Sequence, residues 1–159
     1  MTDLQDDNSI EPPAPVRKIR PPSSVLYVCN HNVIRSPMAE ALTRQMFPKS
    51  IYTASAGVRT GEPDPFVTVV MSELGLDLTL HEPQSLEELE DGYFDLIVTL
   101  SPTAHHVALE RSHVNAADVI YWPSADPTVV QGSREQMLNA YRDVRDRLKE
   151  DIRETLTFE

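Results

Sequence analysis

Short apolar runs alternate along this chain with longer segments whose apolar residues recur every three or four positions. The runs at 25–28, 51–55, 94–100 and 119–122 have the length and the β-branched or aromatic residues typical of strands. The last amphipathic segment, 133–156, carries one apolar stripe made of Met137, Tyr141, Val144, Leu148 and Ile152. Strands that alternate with helices predict right-handed crossovers and a parallel sheet. We therefore expect a small doubly wound α/β domain, with four parallel strands and helices on both faces.

Turn and capping residues mark where the other helices begin and end. Ser36-Pro37 is typical of an N-cap followed by a first helical position. The turn at 61–65 opens a second helix that Gly75 ends, and Ser101-Pro102 caps a third. The acidic stretch 86–91 is interpreted as a short helical piece.

The N-terminal segment differs from the rest in composition. Residues 1–23 are acidic at first, then rich in proline, and show no hydrophobic periodicity. Such a composition predicts a flexible tail with polyproline character, followed by a single domain over 24–159. A proline-rich tail can dock onto a partner, but a solvated extension is the simpler interpretation, and no function is assigned to it.

Charge and cysteine content exclude several classes of protein. The chain has 159 residues, a formal net charge of -11 and one cysteine. So acidic a chain is a poor candidate for binding nucleic acid or an anionic membrane. One cysteine excludes an intramolecular disulfide and suits a reducing compartment, so the cytoplasm is expected. No apolar run is long enough for a transmembrane helix, and 25–28 is too short for a signal-peptide core.

The cysteine stands where a strand meets a loop and a helix. Cys29 ends the first strand, and Arg35 follows six residues later beside the predicted helix start. A loop of this kind turns backbone N–H groups inward and adds the positive end of a helix dipole, which suits a tetrahedral anion. The same field stabilises a thiolate, and the Arg35 guanidinium suits two phosphate oxygens. The pattern predicts a phosphoryl-transfer site; the alternative is a buried structural cysteine beside an unrelated arginine.

Two further polar residues follow strand ends. In open parallel sheets ligands bind outside the carboxyl ends of the strands, so Cys29, Ser55 and Asp126 are expected to converge on one crevice. A carboxylic acid above an anion pocket can protonate a leaving oxygen, and Pro127 stiffens the loop that presents Asp126. Taken alone, an Asp-Pro pair is more often only a turn.

The motif Cys-x5-Arg-Ser, continued by Pro-Met-Ala-Glu-Ala, resembles the low-molecular-weight protein tyrosine phosphatase family from about residue 24 onward. The resemblance implies that Cys29 forms a phosphocysteine, that Arg35 grips the phosphoryl oxygens, and that Asp126 is the general acid and later the base. It implies a phosphate-binding loop that also contains Asn30, His31, Asn32, Val33, Ile34 and Ser36. No metal or cofactor is expected. The implied substrate is a protein phosphorylated on tyrosine or a small phosphomonoester, and the sequence does not predict the oligomeric state.

The resemblance also implies a supporting network around the loop, made of Asn32, Ser36, Ser55 and His81. A hydroxyl at position 36 can donate to the sulfur and favour its charged form. An asparagine at position 32 suits a left-handed backbone conformation. For His81, a loop histidine with one local hydrogen bond is an equally good interpretation.

Departures from the family pattern leave two other functions open. Ile34 stands where many relatives have a second cysteine, and Thr128 and Val129 stand where many have two tyrosines. The motif also resembles arsenate reductases that use one cysteine and an external small thiol, although reductases tend to have glutamine at the place of Pro37. A third possibility is a phosphate-binding module without turnover, which would not need nucleophile, arginine and acid together.

Overall fold

The computed structural model describes residues 21–89, 93–115 and 117–157. Its strands are β1 (Ser24–Cys29), β2 (Tyr52–Gly57), β3 (Leu96–Thr99) and β4 (Asp118–Tyr121). Its helices are α1 (Arg35–Met46), α2 (Pro65–Ser72), α3 (Pro102–Asn115) and α4 (Arg134–Leu156), with a 3-10 turn at Pro127–Val129. Strands and helices alternate along the chain as predicted.

The four strands form one parallel sheet in the order β2-β1-β3-β4. Strand β1 is central and pairs with β2 from Ser24 opposite Tyr52 to Cys29 opposite Gly57. On its other side, Val25 pairs with Leu96 and Val28 with Thr99. The predicted fold class is confirmed. The chain adds β2 on one side of β1 and then β3 and β4 on the other, so the carboxyl end of β1 lies at the topological switch point, where ligands bind in such sheets.

Successive residues of β1 face opposite sides of the sheet, so the core has two parts. Val25, Tyr27 and Cys29 belong to the larger one, beneath α1, α2 and α4. Leu26 and Val28 belong to the smaller one, which contains residues of α3. Because both faces are covered, β1 carries no charged residue, and all its residues after Ser24 are buried.

Two of the predicted helical segments differ from those in the structure. The described part of the predicted piece at 86–91 is a single hydrogen-bonded turn, in which Glu88 Oε1 accepts from the Ser85 N–H at 2.9 Å. Helix α3 extends to Asn115, beyond the predicted end near 110, because no glycine or proline stops it.

The predicted tail lies almost wholly outside the described residues, and its division from the domain stays a prediction. Ser23 is described, and both its N–H and its hydroxyl donate to Asp95 Oδ2, at 2.7 and 2.6 Å. These bonds hold the pKa of Asp95 below its ordinary value. None of the helices within the described ranges combines the length and the apolar character needed to span a membrane.

Candidate active site

The loop between β1 and α1 begins at Cys29, whose thiol is buried beside it. Cys29 is 2% exposed, and its Sγ lies 2.9 Å from the Ser36 hydroxyl in the first turn of α1. Tight packing behind the loop fixes its position: a Cβ added at Gly57 would lie only 2.7 Å from the Asn32 backbone nitrogen. Strand β2 therefore ends in a residue without a side chain where it meets the loop.

The prediction that Ser36 caps α1 is wrong. The helix begins at Arg35, its N-cap position is Ile34, and no side chain caps it. The Ser36 hydroxyl instead accepts from Asn32 Nδ2 at 2.9 Å, and its other neighbours are the sulfur and, at 3.4 Å, the Ala56 carbonyl. Because the sulfur is the nearer acceptor, the Ser36 proton is best placed to stabilise a Cys29 thiolate.

Asn32 is the centre of the network behind the loop. It is fully buried and has a φ of 58°, the left-handed conformation predicted for it. Its Nδ2 donates to the Ser36 and Ser55 hydroxyls, at 2.9 and 2.8 Å. Its Oδ1 accepts from the Gln84 N–H at 2.9 Å, which fixes the orientation of the amide. His81 Nε2 lies 2.9 Å from the Asn32 carbonyl oxygen and must carry the proton, since that oxygen can only accept.

Sequence reasoning missed two residues of this network, Gln84 and Glu40. Besides its backbone bond to Asn32, Gln84 donates from Nε2 to the Ser55 carbonyl at 2.9 Å. Glu40 Oε1 accepts from the Ser55 hydroxyl at 2.5 Å, and its Oε2 accepts from Arg44 at 2.6 Å. A carboxylate only accepts, so Ser55 donates to it and keeps its lone pairs for Asn32. Glu40 belongs to the Ser-Pro-Met-Ala-Glu-Ala part of the motif and could have been considered, but no sequence pattern indicates Gln84.

Arg35 connects the loop to the distant segment that carries the candidate acid. The arginine is 8% exposed, and its Nη1 donates to the Ser124 carbonyl at 2.9 Å and, more weakly, to the Leu100 carbonyl at 3.5 Å. Every hydrogen bond from its guanidinium to another described residue uses Nη1. Nε and Nη2 therefore remain as a pair of donors for two phosphate oxygens.

Asp126 is the N-cap of the 3-10 turn and faces the same cavity. Its Oδ1 accepts from the Thr128 N–H at 3.0 Å and from the Thr128 hydroxyl at 2.6 Å. Partial burial raises the pKa of Asp126, but these bonds, with the charges of Arg35 and His31, outweigh it and leave the pKa below its ordinary value. Asp126 therefore caps a turn, as an Asp-Pro pair usually does. It also places a carboxylate at the same cavity as the loop between β1 and α1.

A cavity of about 430 Å³ brings these groups together. Its floor is the Cys29 loop, one wall contains Asp126 and Thr128, and another is formed by the segment 61–65. Of the predicted loop residues, those that line it are Asn30, His31, Val33, Ile34 and Arg35. Asn32, Ser36, Ser55 and His81 lie behind the loop and not in the cavity lining.

The model of the low molecular weight phosphotyrosine protein phosphatase family matches residues 24–157. The chain belongs to this family. The resemblance drawn from the Cys-x5-Arg-Ser motif is thereby confirmed, and the predicted enzyme class, a hydrolase of the low molecular weight phosphatase type, is that of the family.

Relatives with two different names share the family. A protein of Ralstonia nicotianae, named a probable low molecular weight protein-tyrosine-phosphatase EpsP, is 33% identical over 65% of this chain and 77% of its own length. A glutaredoxin arsenate reductase of Synechocystis is 26% identical over 80% of this chain and 92% of its own length. The solved structure of the Erwinia amylovora tyrosine phosphatase AmsI superposes with a TM-score of 0.67 at 24% identity, covering 86% of this chain and 94% of that one.

Metal ligands do not cluster in the part of the chain that the structure describes. No group of three or more His, Cys, Asp or Glu side chains there could hold an ion. The adjacent histidines of α3 have other partners: His105 stacks on Tyr121 at 4.9 Å, and His106 lies 3.4 Å from Glu110. The cavity lining contains the Cys29 thiol, the Arg35 guanidinium, the His31 imidazole and three carboxyl groups.

Proposed function

We propose that the protein hydrolyses phosphomonoesters, and that Cys29 carries the phosphoryl group between the two steps. The observation that supports this most strongly is the meeting of Cys29, Arg35 and Asp126 at one cavity, although Asp126 lies 97 positions from Cys29 in the sequence. A nucleophile, a fork of donors for phosphate oxygens and a carboxyl group for the leaving oxygen are what transfer to and from a thiol requires.

In the first step the Cys29 thiolate attacks phosphorus. The bond from phosphorus to the ester oxygen breaks, and that oxygen takes a proton from Asp126 while Arg35 holds two of the other oxygens. In the second step water attacks phosphorus and gives a proton to Asp126, and the S–P bond breaks. Inorganic phosphate leaves, the thiolate is regenerated, and no electron is transferred.

The lowered pKa of Asp126 suits the second step directly, because a base must be ionised. In the first step the same carboxyl must carry a proton. A phosphate group bound in the Cys29 loop places negative charge beside Asp126 and raises its pKa, so substrate binding itself favours the acid form. A substrate that binds as its monoanion brings the proton that Asp126 then returns to the leaving oxygen.

We propose a phosphorylated protein, on tyrosine, or a small aryl phosphate as the substrate. The described residues that line the cavity include no Phe, Tyr or Trp; its apolar surface comes from Val33, Ile34 and two prolines. Val129, where many relatives have a tyrosine, is 72% exposed and lies outside the lining. Aliphatic walls bind an aromatic ring less selectively than stacked rings do, so we expect a broad preference among aryl esters. A nucleophilic thiol also needs a reducing compartment, so the proposal includes a cytoplasmic location.

One paired assay separates this function from its alternatives. Hydrolysis of an aryl phosphate is measured with EDTA present, beside arsenate reduction with glutathione and glutaredoxin as thiol donors. A phosphatase releases phosphate and consumes no thiol, and that result is expected here. Thiol consumption in proportion to arsenite formed, with negligible ester hydrolysis, would overturn the proposal in favour of a reductase. Phosphate binding without either reaction would show that the protein is a phosphate-binding module and not an enzyme of either kind.

A further inference from the structure

The cavity lining contains a second aspartate besides Asp126, and both oxygens of this aspartate have donors. Asp64 lines the cavity and is the N-cap of α2, where its Oδ1 accepts from the Phe66 N–H at 2.9 Å. Its Oδ2 accepts from the Tyr141 hydroxyl at 2.5 Å, a short bond of the charge-assisted kind. Tyr141 lies on α4, 77 positions further along the chain.

Helix α4 supports both walls of the cavity. It packs against α2 and against the 3-10 turn that follows Asp126. The Tyr141 ring is 4% exposed and meets the Phe66 ring edge-on, with 5.3 Å between centroids. Burial raises the pKa of Tyr141, as do its bond to Asp64 and the charges of Asp64 and Asp126. The hydroxyl therefore keeps its proton at neutral pH and remains a donor.

The cavity faces an electrostatic conflict that this donor can relieve. Glu62, Asp64 and Asp126 all line a space whose floor has to bind a phosphate anion. Carboxylates near a bound anion weaken its binding by repulsion, and the effect grows as they approach it. Asp126 is required there by the chemistry, whereas Asp64 serves only as a helix cap. Phosphate would therefore bind more weakly if the Asp64 carboxylate turned toward the loop.

We propose that Tyr141 is a positioning residue for phosphate binding: its hydroxyl holds the Asp64 carboxylate against α4 and away from the Cys29 loop. The proposal rests on the proposed function, since it assumes that the loop binds phosphate. Tyr141 does not touch the reacting atoms, and its contribution is to substrate affinity and not to the chemical steps.

The test compares phosphate affinity in variants that keep the tyrosine ring. Tyr141→Phe removes only the hydroxyl, so Asp64 Oδ2 loses its donor and is free to turn toward the loop. We expect the Kd for inorganic phosphate, measured by titration calorimetry at low ionic strength, to rise about threefold to tenfold. KM for an aryl phosphate should rise by a similar factor, with kcat changed less than about twofold.

A second substitution distinguishes charge from packing. Asp64→Asn keeps an oxygen acceptor for the Phe66 N–H but carries no charge, so it should restore the phosphate affinity of Tyr141→Phe. The matched control is Tyr27→Phe, since the Tyr27 hydroxyl is also buried but bonds to uncharged Thr43, at 2.6 Å. Its Kd for phosphate should not change.

The outcomes separate this proposal from the one it rests on. Unchanged phosphate affinity in Tyr141→Phe, or a loss that Asp64→Asn does not reverse, would show that Tyr141 is only structural and would leave the phosphatase proposal intact. A wild-type protein that binds no phosphate would overturn both.

Discussion

The cavity has two ends, one at the proposed nucleophile Cys29 and one at the proposed acid Asp126, and different kinds of contact hold them in place. At the nucleophile end, Asn32 is fully buried and is bonded by Ser36, Ser55, His81 and Gln84, which lie 4, 23, 49 and 52 positions away. At the acid end, Asp126 is exposed and bonded by Thr128, two positions away. Long-range bonds make the anion loop rigid before any ligand arrives, whereas the acid is held by one local turn. This difference matches the proposed chemistry, because the loop must keep its shape while Asp126 changes its charge.

The largest effect is expected at the acid end. Asp126→Ala removes the proton donor, so hydrolysis of phenyl phosphate should slow by about 10²–10⁴-fold. A nitrophenyl ester, whose phenolate leaves with little help, should slow much less. Steady-state rates over a series of leaving groups check this. An equal loss across the series would mean that Asp126 only shapes its turn, and His31, which lines the cavity, would be the next candidate acid.

Arg35 connects the two ends, and its geometry should matter more than its charge. Arg35→Lys keeps the positive charge but loses the fork and the bond to the Ser124 carbonyl. We expect kcat/KM to fall by about 10²–10³-fold, with part of the phosphate binding retained. The control is Arg44→Lys, an exposed arginine of the same helix, which should change kcat/KM by less than about twofold. Near-normal kinetics for Arg35→Lys would show that two-point binding of phosphate is unnecessary.

At the nucleophile end, Asn32→Gly separates the effect of the side-chain hydrogen-bond network from the effect of the backbone conformation at position 32. Glycine accepts the positive φ but removes the amide, which leaves the Gln84 N–H without its acceptor. The Gln84 N–H is partly buried, so leaving it unsatisfied should cost about 1–2 kcal/mol of unfolding free energy, which denaturant titration would measure. Asn32→Ala should lose about 1 kcal/mol more, because alanine disfavours that φ. Equal stability of wild-type and Asn32→Gly proteins would contradict the idea that this network holds the loop.

Much of this arrangement followed from the sequence. Alternating strands and helices predicted the sheet, and the motif placed Cys29 and Arg35 at a strand end and a helix start. The network was predicted through the family resemblance, and its geometry is now visible in the bonds of Asn32. The Gln84 N–H could not be predicted, since any residue supplies a backbone donor and only the fold brings it to Asn32. Ser36 was interpreted as a helix cap because the same residue type serves both roles, and only the closeness of the sulfur decides between them.

The smallest effect is expected from the local bonds of the acid. Thr128→Val removes the hydroxyl bond that helps to lower the pKa of Asp126. A carboxyl group with a lowered folded-state pKa stabilises the protein above its unfolded-state pKa, near about 4, and loses that contribution as the pH falls through the folded-state value. Thermal unfolding should therefore show a small deficit for Thr128→Val at pH 7 that shrinks toward pH 3. A deficit of equal size at both values would show that the bond does not act through the charge of Asp126.

The central claim is that the phosphoryl group passes through Cys29. The most direct measurement is mass spectrometry of the peptide containing Cys29, after rapid quenching of the Asp126→Asn variant during turnover of a nitrophenyl ester. This variant keeps an oxygen for the Thr128 bonds but lacks the base, so the second step is slowed and the intermediate accumulates. We predict one phosphoryl group on Cys29, absent when the ester is omitted, and loss of nearly all turnover in Cys29→Ser. Turnover without a phosphoryl group on Cys29, or more than a few per cent of the wild-type rate in Cys29→Ser, would contradict the proposed mechanism.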